Sequence, residues 1–252
     1  MLLGLGLDLA LNETPLLKSC CQNSSLKILE FLRDSGIDIL RASDKNSSLM
    51  IGCASSQPEV IVFLVENGAD PNECNGLAIK EVMSKGSIEM VKKMIKFGAN
   101  IEPHLDHGLR SAFKEDDLEA LKFYHANGGN LHKIEHFYHS RNPLLSIVEY
   151  MINSGVDMSQ GRVLETVISY RGADTLKLLI GKFSYGAQQK IEALSQAMFY
   201  ENLQAMELIV QSDPSIVDLE NEKIKSGLDS AAKSYKCAGN LHERMMEILN
   251  KS

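Results

Sequence analysis

The chain has no run of 18 apolar residues, the length a helix needs to cross a bilayer, so no membrane-spanning helix is expected. Residues 1–8 lack a basic start and reach Asp8 early, which argues against a secretory leader. Positive charge is not in excess. The net charge is −7, which opposes the phosphate neutralisation that governs nucleic-acid affinity and disfavours an anionic membrane surface. Cysteine is sparse and odd in number. The five, at 20, 21, 53, 74 and 237, form no Cys-x-x-Cys pair, so buried reduced thiols are expected in place of a disulfide framework or zinc ribbon. That usage fits a reducing, cytoplasmic compartment. Catalytic signatures are also missing. There is no Gly-x-Ser-x-Gly elbow and no His-Glu-x-x-His, and Gly4-x-Gly6 has neither a preceding strand nor a third glycine.

What is present is ordinary in amount: 44% apolar and 23% charged residues suit one or two folded domains or a solenoid. Its order is informative. The stretch Glu66-Asn67-Gly68-Ala69-Asp70-Pro71-Asn72 follows a helical pattern over 58–65 and precedes the turn signal Asn75-Gly76. Gly98-Ala99-Asn100 stands 30 residues later, Gly128-Gly129-Asn130 another 30 on, and Gly36-Ile37-Asp38 32 before. A punctuation mark at a near-constant period is the signature of a repeat.

A second layer of repetition precedes each glycine, with Gly155 included in the series. Eight residues before stand Ile28, Val60, Met90, Ala120 and Ile147; seven before, Leu29, Ile61, Val91, Leu121 and Val148; four before, Leu32, Leu64, Met94, Tyr124 and Met151. These positions share one face of a 3.6-residue helix, so each unit carries an amphipathic helix ending at a glycine. Glycine suits that place because the residue after a helix end often needs a positive φ. Shorter apolar segments lie upstream, at 47–54, 109–113, 164–168 and 193–198, and polar turns such as Ser55-Ser56-Gln57, Lys85-Gly86-Ser87 and Glu115-Asp116-Asp117 join them to the second helices. Ser47 and Thr14, the latter followed by Pro15, are expected helix caps. One such helix-turn-helix unit cannot bury its own apolar face; stacked neighbours can.

The arrangement resembles the ankyrin repeat. The residues carrying the likeness are Ser47-Ser48-Leu49-Met50-Ile51-Gly52-Cys53-Ala54, at the family's Thr-Pro-Leu-His-x-Ala position, followed by Glu59 and the apolar run into Asn67-Gly68-Ala69-Asp70. Gly86-Ser87-Ile88-Glu89-Met90-Val91 and Phe97-Gly98-Ala99-Asn100 repeat it. The family's histidine is absent from that motif; Leu17, Met50, Lys80 and Arg110 stand at or near its place. The polar network it makes between repeats is therefore expected to be missing. The resemblance implies an all-α, ankyrin-type solenoid of about seven to eight stacked units with short hairpin-like loops, spanning 1–252 as one domain. Within it, 1–12 is a partial N-terminal unit, since Gly6 lies 30 before Gly36, 128–155 is a short irregular unit with Asn142-Pro143 at its turn, and 220–252 forms capping helices. Extending the period assigns Gly186 and Asp213 to helix ends and demotes Gly172-Ala173-Asp174 to a turn between two helices.

Six of the seven histidines fall within 104–139: His104, His107, His125, His132, His136 and His139. On a helix, His132, His136 and His139 would share a face and could hold a transition metal, although no Cys or Asp joins them at ligand spacing. The plainer reading is solvated or partly packed histidines in a degenerate repeat. Cys20-Cys21 could supply a nucleophile but falls where small buried residues are expected.

In the family, partners dock on the loop tips and on the exposed ends of the first helices. Carried onto matching positions, this implies a partner-binding strip of Ser43, Asp44, Asn46, Glu73, Cys74, Gly76, His104 and Asp106, joined by Ala54, Ser55, Ser84, Lys85, Lys114 and Glu115 from the inter-helix turns. The expected function is a non-catalytic scaffold or adaptor for another protein. No cofactor, nucleic acid or membrane is expected, and the chain is read as a monomer. The degenerate repeats resemble ankyrin proteins of intracellular bacteria and large DNA viruses, which would place it in host-cell cytosol. Two alternatives stand beside this: a metal-binding or enzymatic site built around 104–139, and a regulatory ankyrin fragment of a larger protein.

Overall fold

The structure, a computed structural model, describes residues 13–40, 48–134, 144–159, 163–170, 172–234 and 239–250. It forms two compact units, Met1–Asn130 and Leu131–Ser252. Among the described residues there are fifteen α-helices and no strand.

The first unit holds four helix pairs. These are α1 (Glu13–Gln22) with α2 (Leu26–Asp34), α3 (Ser48–Ala54) with α4 (Pro58–Glu66), α5 (Glu73–Lys85) with α6 (Ile88–Lys96), and α7 (Leu105–Lys114) with α8 (Leu118–Ala126). The first helices pack in one row, α1 on α3, α3 on α5 and α5 on α7, and the second helices in another, α2 on α4 and α4 on α6. The second unit is built alike. It has α9 (Leu145–Asn153), α10 (Val163–Ser169), α11 (Ala173–Lys182), α12 (Ala187–Phe199), α13 (Leu203–Ser212), α14 (Glu222–Ser234) and α15 (Gly239–Asn250). Here α10, α12 and α14 form the first row, and α9, α11, α13 and α15 the second. The expected first helix partnering α9 falls largely outside the described residues, as do Asn142-Pro143, the partial unit 1–12 and the cap Ser47; Ile134, at its expected start, is buried. Helix α1 begins at Glu13, one residue ahead of the expected Thr14 cap.

The apolar stripe read from the period is the core. At seven and four residues before the glycine, Leu29, Ile61, Val91, Leu121 and Val148, and Leu32, Leu64, Met94, Tyr124 and Met151, are all buried. Burying such a side chain contributes about 1.5–3 kcal/mol. The position eight before lies about 100° round the helix from the first of these, at the edge of the stripe. There burial depends on the neighbour: Val60, Ala120 and Ile147 are buried, Ile28 is 41% exposed. The thiols of Cys20, Cys21 and Cys53 are buried where α1 meets α3, and burial pushes the Cys21 thiol up to about 11, so it stays protonated and is a poor nucleophile.

The second helices of the first unit, and α9, end in one way. The N–H of the residue after the glycine donates to the carbonyl five residues back, as in Ala69 to Leu64, Ala99 to Met94 and Val156 to Met151. The intervening glycine is left-handed, with φ of +85° at Gly36, +105° at Gly68, +94° at Gly98, +101° at Gly128 and +86° at Gly155. One residue further, Asp38, Asp70, Asn100 and Asp157 each turn a side-chain oxygen onto the N–H two residues ahead. The recurring glycine–x–Asp/Asn is thus a helix stop followed by a side-chain-closed turn.

The same stop closes α1, α3, α7 and α12 without glycine, whereas α5 ends at Gly86 in an extended conformation. Ser25 N–H donates to the Cys20 carbonyl, Gln57 to Gly52, Asp117 to Ala112 and Asn202 to Ala197, and the residues at positive φ are Ser24, Ser56, Asp116 and Glu201. A left-handed L-residue costs about 1–2 kcal/mol relative to glycine.

One expectation is corrected, and Asp213, which does follow the last residue of α13, ends it without a left-handed turn. Gly186 does not end a helix; with φ of −67° it is the residue from which α12 starts, and Gln189 caps its N–H. Asp213 is extended, with φ of −163°, and leads into a short 3-10 turn, Pro214–Ile216. The period located α11 and α13 correctly, but neither ends through a left-handed residue. Gly172 does lie in the turn between two helices, with φ of −79°. Asn75 and Gly76, at φ of +57° and +69°, twist the first turn of α5 instead of joining two strands.

Candidate interaction surface

The first-helix row of the first unit shows one buried and one outward face. In α5, Ala78, Ile79, Val82 and Met83 are buried, while Leu77, Lys80, Glu81, Ser84 and Lys85 are partly or fully exposed. In α7, Leu105, Leu109, Ala112 and Phe113 are buried, and Asp106, His107, Arg110, Ser111 and Lys114 face outward. Gly108 permits close packing: a Cβ there would lie 2.5 Å from Met83 Cε and 2.9 Å from the Tyr124 ring. A side chain there would require the Met83 tip and the Tyr124 ring to shift.

Polar bonds run between neighbouring helix pairs all the same, made by residues other than the missing motif histidine. His107 Nε2 lies 2.6 Å from Ser84 Oγ, Ser111 Oγ donates to the Ser84 carbonyl at 3.2 Å, and Ser56 Oγ donates to Glu81 at 3.0 Å. Asn72 serves the next loop on both sides of its amide, donating to the Gly98 carbonyl at 2.9 Å and accepting from Asn100 N–H at 2.8 Å. In the second unit Asn202 donates to the Ile168 carbonyl, Tyr185 to Met158 and Ser195 to Lys223. Residues of several types at several positions make these bonds, so no single motif announces them.

The residues expected to bind a partner divide into three groups. Ser43, Asp44 and Asn46, and the side chain of Cys74, lie outside the described residues. Gly76 and Ser84 are used by the fold itself. Gly76 is buried beneath His104, whose Nε2 would stand 2.4 Å from a Cβ there, and Ser84 engages His107 and the Lys80 carbonyl. Exposed or partly exposed are Ala54, Ser55, Glu73, Lys85, His104, Asp106, Lys114 and Glu115. Motif matching did not single out Lys80, Arg110 or His107 as partner-binding residues, because none falls on a loop tip or turn. Their outward placement on α5 and α7 was readable only from helix periodicity.

The imidazoles sit in a cationic setting. Burial, then Lys80 and His107, hold His104 below its ordinary 6.5; burial, then the Arg110 charge, hold His107 below it, opposed by a hydrogen bond to the Lys80 backbone and by Glu81, with the Lys80 charge adding to the lowering. His136 and His139 lie outside the described residues, and among the described residues no group of three His, Cys, Asp or Glu is placed to hold a metal ion. Among them, too, no helix is long and apolar enough to cross a membrane.

No protein-family model matches the chain, and no curated protein does. Among solved structures it is similar to the crystal structure of the human ASB11 ankyrin repeat domain, at 18% identity and a TM-score of 0.38, over 92% of this chain and 96% of that one. In its own geometry the chain is built of paired helices in two rows within each unit, with a left-handed glycine stop and an Asx-closed turn recurring after second helices of the first unit and after α9.

Proposed function

We propose that the protein is a non-catalytic scaffold or adaptor that binds another protein along the first-helix row of its N-terminal unit. The observation that supports this is the recurrence of one turn geometry. The left-handed residues Ser24, Ser56 and Asp116 bring α1, α3 and α7 to polar ends in the same way, and α5 between them ends at the polar turn of Lys85 and extended Gly86, so these ends are read as an extended surface. Repeat proteins bind through such surfaces. The contact residues in this reading are Ala54, Ser55, Glu73, Lys85, His104, Asp106, Lys114 and Glu115, together with the loop positions Ser43, Asp44 and Asn46. The chain acts in this reading as a monomer in a reducing, cytoplasmic setting, without a cofactor.

Affinity capture from cells of the native host tests it. A protein retained by the wild type should be lost when Ala54 and Ser55 are both changed to Arg, and kept when Lys92 and Glu119, on second helices, are changed to Ala. Equal retention by both variants would reject the surface, and no specific protein on the wild type would reject the adaptor function.

A further inference from the structure

Three Asn-Gly pairs stand in the chain: Asn67-Gly68, Asn75-Gly76 and Asn127-Gly128. The pair has its own chemistry. The main-chain nitrogen after an asparagine can attack that residue's side-chain carbonyl carbon, and glycine, with no Cβ, leaves this nitrogen least shielded. The structure treats the three pairs differently. We propose that Asn75 is a site of self-modification, at which the Gly76 nitrogen displaces the side-chain amide, while the fold protects Asn67 and Asn127.

The step needs no reagent other than water. The Gly76 nitrogen loses its proton to solvent and bonds to Asn75 Cγ. The Cγ–Nδ2 bond breaks, and Nδ2 takes up a proton and leaves as ammonia, closing a five-membered succinimide. Water then opens the ring. Addition at Cγ restores the main-chain peptide bond and gives aspartate. Addition at the main-chain carbonyl carbon leaves Gly76 bonded to Cγ and gives isoaspartate. One amide is exchanged for one carboxylate, and nothing is oxidised or reduced.

Asn67 and Asn127 are held away from this reaction. Each follows a second helix, with φ of −101° and −89°. Their Nδ2 groups donate to the carbonyls of Phe63 at 2.7 Å and Phe123 at 2.8 Å. These bonds turn the amide back over the preceding helical turn, and they must break before Cγ can reach the nitrogen ahead. That nitrogen is engaged as well, Gly68 N–H with the Val65 carbonyl at 3.1 Å and Gly128 N–H with the His125 carbonyl at 3.0 Å. Asn75 differs on each count. It is exposed, and among the described residues no partner holds its side-chain amide. The Gly76 N–H reaches the Asn72 carbonyl at 3.3 Å, the longest of the three. Both residues are left-handed, at φ of +57° and +69°, so this turn departs from regular helix geometry.

The place gives the change an effect. Gly76 is seated under His104, whose Nε2 would stand 2.4 Å from a Cβ there. Either product adds a carboxylate to the first turn of α5. The isoaspartyl product also adds one carbon to the main chain directly before the glycine that His104 covers, which alters the surface shared by the starts of α5 and α7. This inference stands apart from the adaptor reading.

The test incubates the full chain in mildly alkaline buffer at body temperature, folded and in urea, followed by peptide mapping with mass spectrometry and isoaspartyl methyltransferase labelling. In the folded chain Asn75 should convert about threefold or more faster than Asn67 or Asn127, the ratio that one net hydrogen bond holds against release. In urea the three should convert alike. Equal rates in the folded chain would overturn the proposal, as would an unmodified Asn75 over a time in which the urea-unfolded chain reacts. The same preference for Asn75 in urea would trace it to local sequence and overturn the assignment to the fold.

Discussion

His107 on α7 reaches Ser84 on α5, with Nε2 2.6 Å from Oγ. The same hydroxyl lies 2.9 Å from the Lys80 carbonyl, so Ser84 joins the imidazole of α7 to the backbone of α5. One imidazole and one hydroxyl therefore bridge two neighbouring helix pairs.

Protonation of that ring adds a charge beside Arg110 and Lys80, offset in part by Glu81, in a partly buried setting that holds its pKa below 6.5. A depressed folded pKa means the unfolded chain takes up the proton first. The contribution is fully present above the unfolded value and is lost as pH falls from there through the folded value. His104 acts in the same direction. Urea unfolding midpoints should therefore drop between pH 7.5 and 5, and His107→Gln should flatten that drop. An unchanged slope in the variant would remove His107 from the cause.

Gly68 and Gly172 should respond differently to substitution although both sit in a Gly-Ala-Asp sequence. Gly68 needs φ of +105°, so Gly68→Val should destabilise by about 2–3 kcal/mol. Gly172, at φ of −79°, should tolerate Ala with a much smaller loss. Equilibrium denaturation of the two variants decides it, and equal losses would contradict the register of α10 and α11.

Glu201 occupies a left-handed turn at φ of +57°. Glu201→Gly should raise stability by about 0.5–1 kcal/mol, the relief of the strained conformation less the added freedom of the unfolded chain. A rise in thermal midpoint without change in helix content is the expected reading.

Asn202 is buried, caps α13 by accepting from Ala205 N–H at 3.1 Å, and donates to the Ile168 carbonyl at 3.2 Å. Asn202→Ala removes a cap and a bond between repeats together and should cost about 2 kcal/mol. Asn72→Ala, whose two bonds to the next loop are exposed to water, should cost about 1 kcal/mol. Similar losses for both would show that burial does not set the difference.

The helix pairs and the buried stripe could be read from the chain because each depends on a local rule with a visible residue. Apolar positions seven and four residues before the stop must face inward whatever lies beside them, and a stop at positive φ favours glycine strongly enough to leave a mark. The period alone was a weaker guide. It located α11, α13 and the end of α13 at Asp213 but misread Gly186, because a helix can also end in an extended residue, as α11 does at Phe183, and spacing does not distinguish these. The stops after the first helices escaped notice because Ser24, Ser56, Asp116 and Glu201 carry no glycine to mark them.

The sequence by itself determined the repeat, its paired helices and the glycine stops, since hydrophobic period and backbone sterics act within a few residues. Tertiary structure decided which polar groups bridge repeats, that His104 lies over Gly76, and that Lys80, His107 and Arg110 stand together on two packed helices. Those relationships join residues about one repeat apart, where register and burial between neighbours, and not local pattern, fix who meets whom.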